Sequence, residues 1–133
     1  MDDYPLPARR LVETMRADAA KDPQRTAAFQ GAPGAYSHQA VRELLPDRLP
    51  LPCPTFPAAI EAVQSGEAAL AVIPVENSLH GRVADIHFLL PESGLHITHE
   101  HFVRVEHCLL GLPGTARSDV ARAHSHPQAL GQC

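Results

Sequence analysis

The pattern of hydrophobic positions changes near residue 26. Before it, residues 6–21 place Leu11, Met15 and Ala19 on one helical stripe, which predicts an exposed amphipathic helix packed on the domain surface or on a neighbour. After it, short apolar runs alternate with segments of helical periodicity. Residues 1–25 are therefore predicted to form a helical leader, and the folded domain is expected to begin at residue 26.

Strands and helices are predicted to alternate along this domain. Residues 69–75 are continuously apolar, which is typical of a strand buried on both faces, so we expect them to be an interior strand. Prolines interrupt residues 49–53, which favours an edge strand. Thr55 is the predicted N-cap of one helix, and Pro91 is the predicted end of another. The predicted strands are 26–30, 49–53, 69–75, 95–105, 107–112 and 120–124, and the predicted helices are 37–45, 57–64, 83–90 and one that begins at Pro127.

This alternation indicates an α/β fold with a mostly parallel sheet and helices on its faces. In such sheets ligands bind at the carboxyl ends of the strands, where loops lead into helix N-termini. Three post-strand loops meet this condition: residues 30–38 (QGAPGAYSH), 74–81 (PVENSLHG) and 124–128 (HSHPQ).

The first loop can bring backbone close to a ligand, because it contains two glycines. Ser37 lies near the predicted helix N-cap, where free backbone N–H groups can hold a carboxylate. A capped helix after a flexible turn explains the same residues without a ligand. The third glycine and the lysine of nucleotide-binding motifs are missing, which excludes a nucleotide site.

The other two loops carry amide and hydroxyl side chains. Asn77 offers both a donor and an acceptor, and Ser78 can cap a helix, although an ordinary Asx-turn would account for both. In the third loop either Ser125 or His126 is the candidate cap, and Gln128 lies in the first helical turn, where its amide could meet a carboxylate. A cap followed by proline at the first helical position needs no ligand.

Composition narrows the possible functions. Hydrophobic residues make up 44% and charged residues 20%, which is typical of a globular chain. The formal charge of -4 argues against nucleic acid as a partner, since that would need a basic excess. Neither a signal peptide nor an apolar run of ~20 residues is present, so we expect no membrane association and a cytoplasmic protein.

The cysteines and histidines do not form a recognisable metal motif. Three cysteines, an odd number without a CxxC pair, indicate neither a disulfide framework nor a zinc site. Among the nine histidines, His99 and His101 would share one strand face with Glu100 nearby, which is a conceivable ligand set. The polar outer face of a half-exposed strand explains them more simply, and we expect no metal.

Four segments, taken in order, resemble the dehydratase domain of the prephenate dehydratase family. They are GAPGAYSHQA (31–40), PVENSLHG (74–81), HCLL (107–110) and SHPQALGQC (125–133). The resemblance runs from about Ala27 to Cys133 and leaves out the first 25 residues. The Glu-Asn-Ser and Ser-His-Pro-Gln-Ala segments are the most specific part of it.

The resemblance implies a two-lobed architecture like that of type II periplasmic binding proteins, with the active site between the lobes. Residues 26–100 would form most of lobe one, and residues 105–133 would begin a second lobe that is incomplete in this chain. Family members are expected to be homo-oligomers, as dimers, in the intact protein. They commonly add a regulatory domain that binds phenylalanine, which these 133 residues do not contain.

The implied function is that of a carbon–oxygen lyase in phenylalanine biosynthesis, which converts prephenate to phenylpyruvate with loss of carbon dioxide and water. No metal or organic cofactor is implied. The similarity places Asn77 and Gln128 as hydrogen-bond donors to the substrate, and Ser37 and Ser125 as helix caps that direct N–H groups at it, with Ser78 beside them. Ser37 and Asn77 are expected to converge on one cleft.

The chain departs from the family pattern in one respect. The family's Thr-Arg-Asp-Thr segment, which supplies the threonine assigned as the acid, lies downstream of Ser-His-Pro-Gln and has no counterpart here. We therefore expect a truncated dehydratase domain without a catalytic residue of its own. Two alternatives stay open: an arogenate dehydratase, which the residues do not distinguish, and a non-catalytic small-molecule-binding module of the same fold.

Overall fold

A three-stranded parallel sheet forms the centre of the fold. In the computed structural model, which describes residues 3–79 and 81–133, strand β1 (Thr26–Gln30) lies between β2 (Leu49–Cys53) and β3 (Leu70–Val72). Thr26, Ala27, Ala28 and Phe29 are all fully buried. The hydroxyl of Thr26 donates to the carbonyl oxygens of Ala19 and Asp22 at 3.1 and 2.9 Å, which satisfies the polar group inside the core.

Helices cover both faces of this sheet. Because successive side chains of a strand point to opposite faces, Ala28 packs in one cluster with Ala19, Leu51, Cys53 and several small residues of the helix after β2, whereas Ala27 and Phe29 pack against Val41 on the other face. The helices are α1 (Leu6–Lys21), α2 (Tyr36–Leu44), α3 (Phe56–Gln64), α4 (Ala84–Ser93) and α5 (Pro127–Gln132), and a two-stranded hairpin consists of β4 (Glu76–Asn77) and β5 (Gly81–Arg82). This arrangement confirms the α/β class with a small parallel sheet.

Helix α1 confirms the predicted amphipathic helix and packs on the domain itself. Ala19 belongs to the core, Met15 packs against the cluster of Phe29 and Val41, and Leu11 is half exposed. Near the start of the helix the buried residue is therefore Val12 and not Leu11. The Nε of Arg16 donates to the carbonyl oxygen of Pro52, 3.4 Å away, and so connects α1 to the edge strand β2.

The expectation for residues 69–75 was wrong. Only Leu70–Val72 form a strand, all three are half buried, and β3 lies at an edge of the sheet, whereas Thr26–Gln30 is the interior strand. A continuous apolar run indicates that the side chains are covered on both faces of the sheet. It does not indicate how many strands lie beside it. Pro74 also lacks the N–H that would extend the ladder.

Two other predicted boundaries differ in the structure. Pro91 lies inside α4, which continues to Ser93 and ends at Gly94 in the left-handed conformation (φ 71°). A proline removes only one intrahelical hydrogen bond, so the helix can continue past Pro91. Gly94, three residues later, forms a left-handed C-cap, which is a more favourable end. At the other helices the predictions hold within one residue at each start, and β2 is an edge strand as expected.

The strands predicted at 95–105, 107–112 and 120–124 are not present. This part of the described chain contains only a short 3₁₀ turn (Arg117–Asp119) before α5, and its apolar side chains are exposed, with Phe102 at 86% and Leu110 at 88%. An extended segment becomes a strand only where a neighbouring strand supplies hydrogen bonds, and no described strand lies beside these residues. No helix in residues 3–79 and 81–133 is long and apolar enough to span a bilayer.

The cap of α3 gives a stability prediction. The Oγ1 of Thr55 accepts a hydrogen bond from the Ala58 N–H at 3.2 Å, and α3 buries Ala59, Ile60 and Ala62 in the core. Thr55→Ala should therefore lower the free energy of unfolding by about 1 kcal/mol, whereas Thr55→Ser should retain most of it. Urea unfolding followed by circular dichroism measures both, and equal losses in the two variants would contradict the capping role.

Candidate functional site

The carboxyl ends of three parallel strands lie at one edge of the sheet. The loop after β1 leads from Gln30 into α2, and its Gly31 N–H donates to the carbonyl oxygen of Cys53 at the end of β2, 3.0 Å away. Because β3 is paired in parallel with β1, the chain after Val72 leaves from the same edge. This edge is where the fold class predicts a ligand site.

The first loop is held by its own hydrogen bonds. Ala35 N–H donates to Ala32 O at 3.0 Å, and the N–H of Gly34, whose φ is 91°, donates to Nδ1 of His38 at 3.0 Å. The N-cap of α2 is Ala35, so the expectation that Ser37 caps this helix was wrong. A cap residue needs non-helical dihedral angles, which Ala35 has, whereas Ser37 already lies in the first helical turn.

His38 connects this loop to the core. Its ring stacks on Phe29 of β1 with ring centroids 5.1 Å apart and an interplanar angle of 7°. Burial, together with the positive charge of Arg42, lowers the pKa of His38 below its usual value. Both causes favour the neutral imidazole, and only a neutral ring can accept the Gly34 N–H at Nδ1.

The second loop forms the β4–β5 hairpin. In the antiparallel backbone register Glu76 lies opposite Arg82 and Asn77 lies opposite Gly81. The N–H of Leu79 donates to Oδ1 of Asn77 at 2.9 Å. This is the Asx-turn that was the simpler alternative for Asn77. Ser78 is exposed and does not cap α4, whose N-cap is Val83.

The third loop leads into α5 with His126 as its N-cap. Nδ1 of His126 accepts the N–H of Gln128 at 3.2 Å, so the cap is His126 and the expectation that Ser125 caps this helix was wrong. His126, the other candidate cap, lies one residue nearer to the helix, and its imidazole reaches the free N–H in place of the serine hydroxyl. Ser125 and Gln128 are both exposed.

The first and fourth family segments both contact His107, which lies in the third. The ring of His107 contacts Tyr36 of α2 edge-on at 5.9 Å, and its Nε2 shares a hydrogen bond with Oε1 of Gln132 in α5. The His-Cys-Leu-Leu segment is therefore the contact between α2 and α5. No role was predicted for His107, Tyr36 and His38, although all three belong to the family segments.

A further contact fixes the chain that crosses α2. Nε2 of His101 lies 2.7 Å from Oε2 of Glu43, and the amide of Gln39 donates to the other oxygen of Glu43 at 2.7 Å. Both hydrogen bonds lower the pKa of Glu43, and the bond with His101 has the larger effect. His99 contacts the hydroxyl of its neighbour Thr98 at 3.0 Å. The residues considered as a metal pair are thus engaged separately, and no group of three or more His, Cys, Asp or Glu able to hold a metal occurs within residues 3–79 and 81–133.

Two shallow grooves flank His38, and Arg42 lines both. The larger, of about 540 Å³, lies between α1, the first loop and α2, and the smaller, of about 230 Å³, extends toward β2. Asn77, Ser78, Ser125 and Gln128 line neither of these two grooves. The lining residues are Leu11, Pro33, Gly34, His38, Gln39, Arg42 and Glu43 for the larger groove, and His38, Arg42, Pro46, Arg48 and Pro50 for the smaller.

Comparison with known proteins identifies relatives of two kinds. The chain is 57% identical over 109 residues to a bifunctional N-acyl-homoserine lactone acylase/prephenate dehydratase of Komagataeibacter europaeus, which covers 82% of this chain and 39% of that protein. It is 39% identical over 128 residues to arogenate dehydratase/prephenate dehydratase 1, chloroplastic, of Arabidopsis thaliana, covering 96% of this chain and 33% of the relative. The chain thus spans less than half the length of these relatives.

A solved structure and a family model also match this chain. The structure of GqqA, described as a novel type of quorum-quenching acylase, superposes with a TM-score of 0.57 at 58% sequence identity, over 61% of this chain and 42% of that one. The family model for prephenate dehydratase matches residues 27–133. The chain belongs to the prephenate dehydratase family.

Proposed function

We propose that this chain supplies the substrate-holding part of a prephenate dehydratase. The observation that carries the proposal is that two family segments distant in sequence both contact His107, through Tyr36 in the first and Gln132 in the last. A dehydratase site needs such convergence, because prephenate presents two carboxylates and a ring hydroxyl that must be held at once. Membership of the family supports the same function.

The first turn of α2 is suited to one of these carboxylates. The first intrahelical bond accepted at this end comes from Gln39, so the N–H groups of Tyr36, Ser37 and His38 precede the helical ladder. The N-cap Ala35 has no side chain able to accept them. Backbone N–H groups at a helix start bind anions without a cationic side chain, which suits a chain whose net charge is -4.

Asn77, Ser78, Ser125 and Gln128 complete the proposed substrate contacts. Asn77 directs its carbonyl oxygen at the Leu79 N–H, which fixes the amide plane and so the direction of its NH₂ group. Gln128 and Ser125 stand at the start of α5, the helix that His107 ties to α2. Hydrogen bonds to the substrate from these groups would hold prephenate while its ring becomes aromatic.

The reaction converts prephenate to phenylpyruvate, carbon dioxide and water. The bond from the ring carbon to its carboxylate breaks, its electron pair enters the ring, and the ring hydroxyl leaves as water after receiving a proton. The family resemblance assigns that proton to a threonine in a Thr-Arg-Asp-Thr segment, and these 133 residues contain no such segment. The proposed role of this chain is therefore binding and orientation of the substrate. The cytoplasmic location, the two-lobed architecture and the homo-oligomeric state stay predictions.

N-acyl-homoserine lactone hydrolysis is a second candidate for the whole protein. Its support is the 57% identity to a protein named as both acylase and dehydratase. Arogenate, which carries an amino group where prephenate has a keto group, is an alternative substrate of the first reaction, since the plant relatives are named for it. Incubation of this chain with each of the three compounds, followed by chromatography of phenylpyruvate, phenylalanine and homoserine lactone, separates these activities.

Removal of the Asn77 amide should lower turnover without unfolding the protein. In a full-length relative with the same Glu-Asn-Ser segment, Asn→Ala at the position of Asn77 should lower kcat about ten- to a thousandfold, because one transition-state hydrogen bond is lost. Asn→Asp is the matched control for the turn: it keeps the oxygen that accepts the Leu79 N–H but loses the NH₂ donor. Full activity of the Asp variant would remove Asn77 as a donor to the substrate.

The 133-residue chain itself should show no dehydratase turnover and little stability. The segment with the acid threonine is absent, and Phe102, Leu110 and Leu112 expose more than 80% of their surface, which favours self-association. Calorimetry with prephenate, a phenylpyruvate assay, a melting curve and sedimentation velocity test this. Phenylpyruvate formation together with a sharp cooperative melting transition of a monomer would contradict the prediction, whereas prephenate binding without turnover is the expected result.

A further inference from the structure

His38 joins three parts of the site edge. Its Nδ1 accepts the N–H of Gly34 in the first loop, its ring stacks on Phe29 of the central strand, and its backbone belongs to the first turn of α2. Phe29 is fully buried, so the ring of His38 rests on a fixed surface of the core. A shift of this imidazole would therefore displace the loop and the helix start together.

The hydrogen bond resembles half of a capping box. In that motif the side chain at the third helical position accepts the N–H of the N-cap residue. Here the third helical residue is His38, and it accepts the N–H of Gly34, one residue before the N-cap Ala35. Gly34 has a φ of 91°, which glycine adopts without strain but as only one of many accessible conformations, so the hydrogen bond to His38 selects this shape of the loop.

We propose that His38 is a positioning residue, which fixes the loop of residues 31–35 and thereby aims the free N–H groups at the start of α2. That these N–H groups receive a carboxylate of the substrate is part of the proposed function, on which this inference rests. The required form is the neutral tautomer with the hydrogen on Nε2, because Nδ1 must accept. His38 need not contact the substrate, since its effect passes through the backbone of the loop and of the helix.

The charges around His38 favour this neutral form. Arg42, one helical turn further along α2, and Arg48, after α2, line the same smaller groove as His38. Glu43 lines the larger groove but is hydrogen-bonded to Gln39 and His101. On the side of α1 the larger groove presents the apolar Leu11, and on the side of β2 the smaller one presents Pro50. Beside two arginines and one carboxylate that is already hydrogen-bonded, a further positive charge on His38 is disfavoured.

Three variants of the chain separate the hydrogen bond from the stacking contact. His38→Asn places its Oδ1 near the position of Nδ1, His38→Gln places its acceptor one bond further out, and His38→Phe keeps a flat ring on Phe29 without an acceptor. Hydrogen exchange of the Gly34 amide, measured by NMR on the labelled 133-residue chain, should accelerate roughly five- to tenfold in the Gln and Phe variants, as expected for one lost hydrogen bond, and stay within about twofold in the Asn variant. The amides of β1 serve as the control for folding.

The unsubstituted chain provides an independent measurement. Long-range proton–nitrogen correlation should show His38 protonated at Nε2 and not at Nδ1 near pH 8. Since the folded-state pKa of His38 is lowered, the contact is fully present above the usual histidine value of ~6.5 and is lost as pH falls below it. Gly34 exchange, corrected for its intrinsic pH dependence, should therefore accelerate on acidification in the unsubstituted chain and change little in His38→Asn.

The outcomes distinguish this inference from the proposed function. Equal Gly34 protection in the Asn and Gln variants, or an Nδ1-protonated tautomer at pH 8, would overturn the role of His38, even if β1 stays folded. Titration with prephenate is the separate arm of the experiment. The expected Gly34 pattern in a chain that binds no prephenate would count against the proposed function alone, whereas weaker prephenate binding in His38→Gln than in His38→Asn supports both.

Discussion

The structure depends on the burial of β1 from both faces. Four consecutive residues, Thr26–Phe29, have no exposed surface, because β2 and β3 flank the strand and helices cover the two faces. The Thr26 hydroxyl adds a directional tie, since it donates to Ala19 O and Asp22 O at the end of α1, where carbonyl groups lack partners within the helix. Small side chains such as Ala28 and Ala59 let the helices approach closely, so the sheet needs no large aromatic core beyond Phe29.

The site edge inherits its geometry from that strand. Gln30 is the last residue of β1, and the next residue is already hydrogen-bonded to the end of β2 through Gly31 N–H and Cys53 O. Phe29 contacts both the core and the first loop. It packs against Val41 in the core, and the ring of His38 stacks on it. The first loop, whose composition is rich in glycine and alanine, is thus held by its hydrogen bonds and by the contact of His38 with the buried strand. A preorganised loop of this kind loses less entropy when a ligand binds.

Sequence patterns predicted those elements whose stabilising partners lie nearby in the chain. The Thr55 cap, the edge strand with Pro50 and Pro52, and the start of α5 at Pro127 all depend on residues within a few positions, and the structure has each of them. Elements that depend on distant partners were predicted less well. Residues 69–75 were expected in the interior because apolar runs are covered on both faces, yet strand order is set by pairing, which the run does not encode. The same limit applies to residues 95–112, which were predicted as strands but have no described strand beside them.

The site residues divide in the same way. Asn77 and the segment around Ser125 could be selected because polar residues after a strand are visible in the sequence, and His126 was one of two candidate caps there, but the role of His38 was not predicted. His126 and not Ser125 caps α5, and His38 and not Ser37 holds the turn before α2. The His126 ring accepts a helix N–H for which Ser125 was the other candidate acceptor, whereas the His38 ring accepts the N–H of Gly34, for which no acceptor was predicted. The His38 ring accepts the Gly34 N–H only while it is neutral, so the conformation of the first loop depends on pH. The sequence motifs Tyr-Ser-His and Ser-His-Pro-Gln therefore combine two kinds of residue: serines left available at the helix starts and histidines that hold the backbone around them.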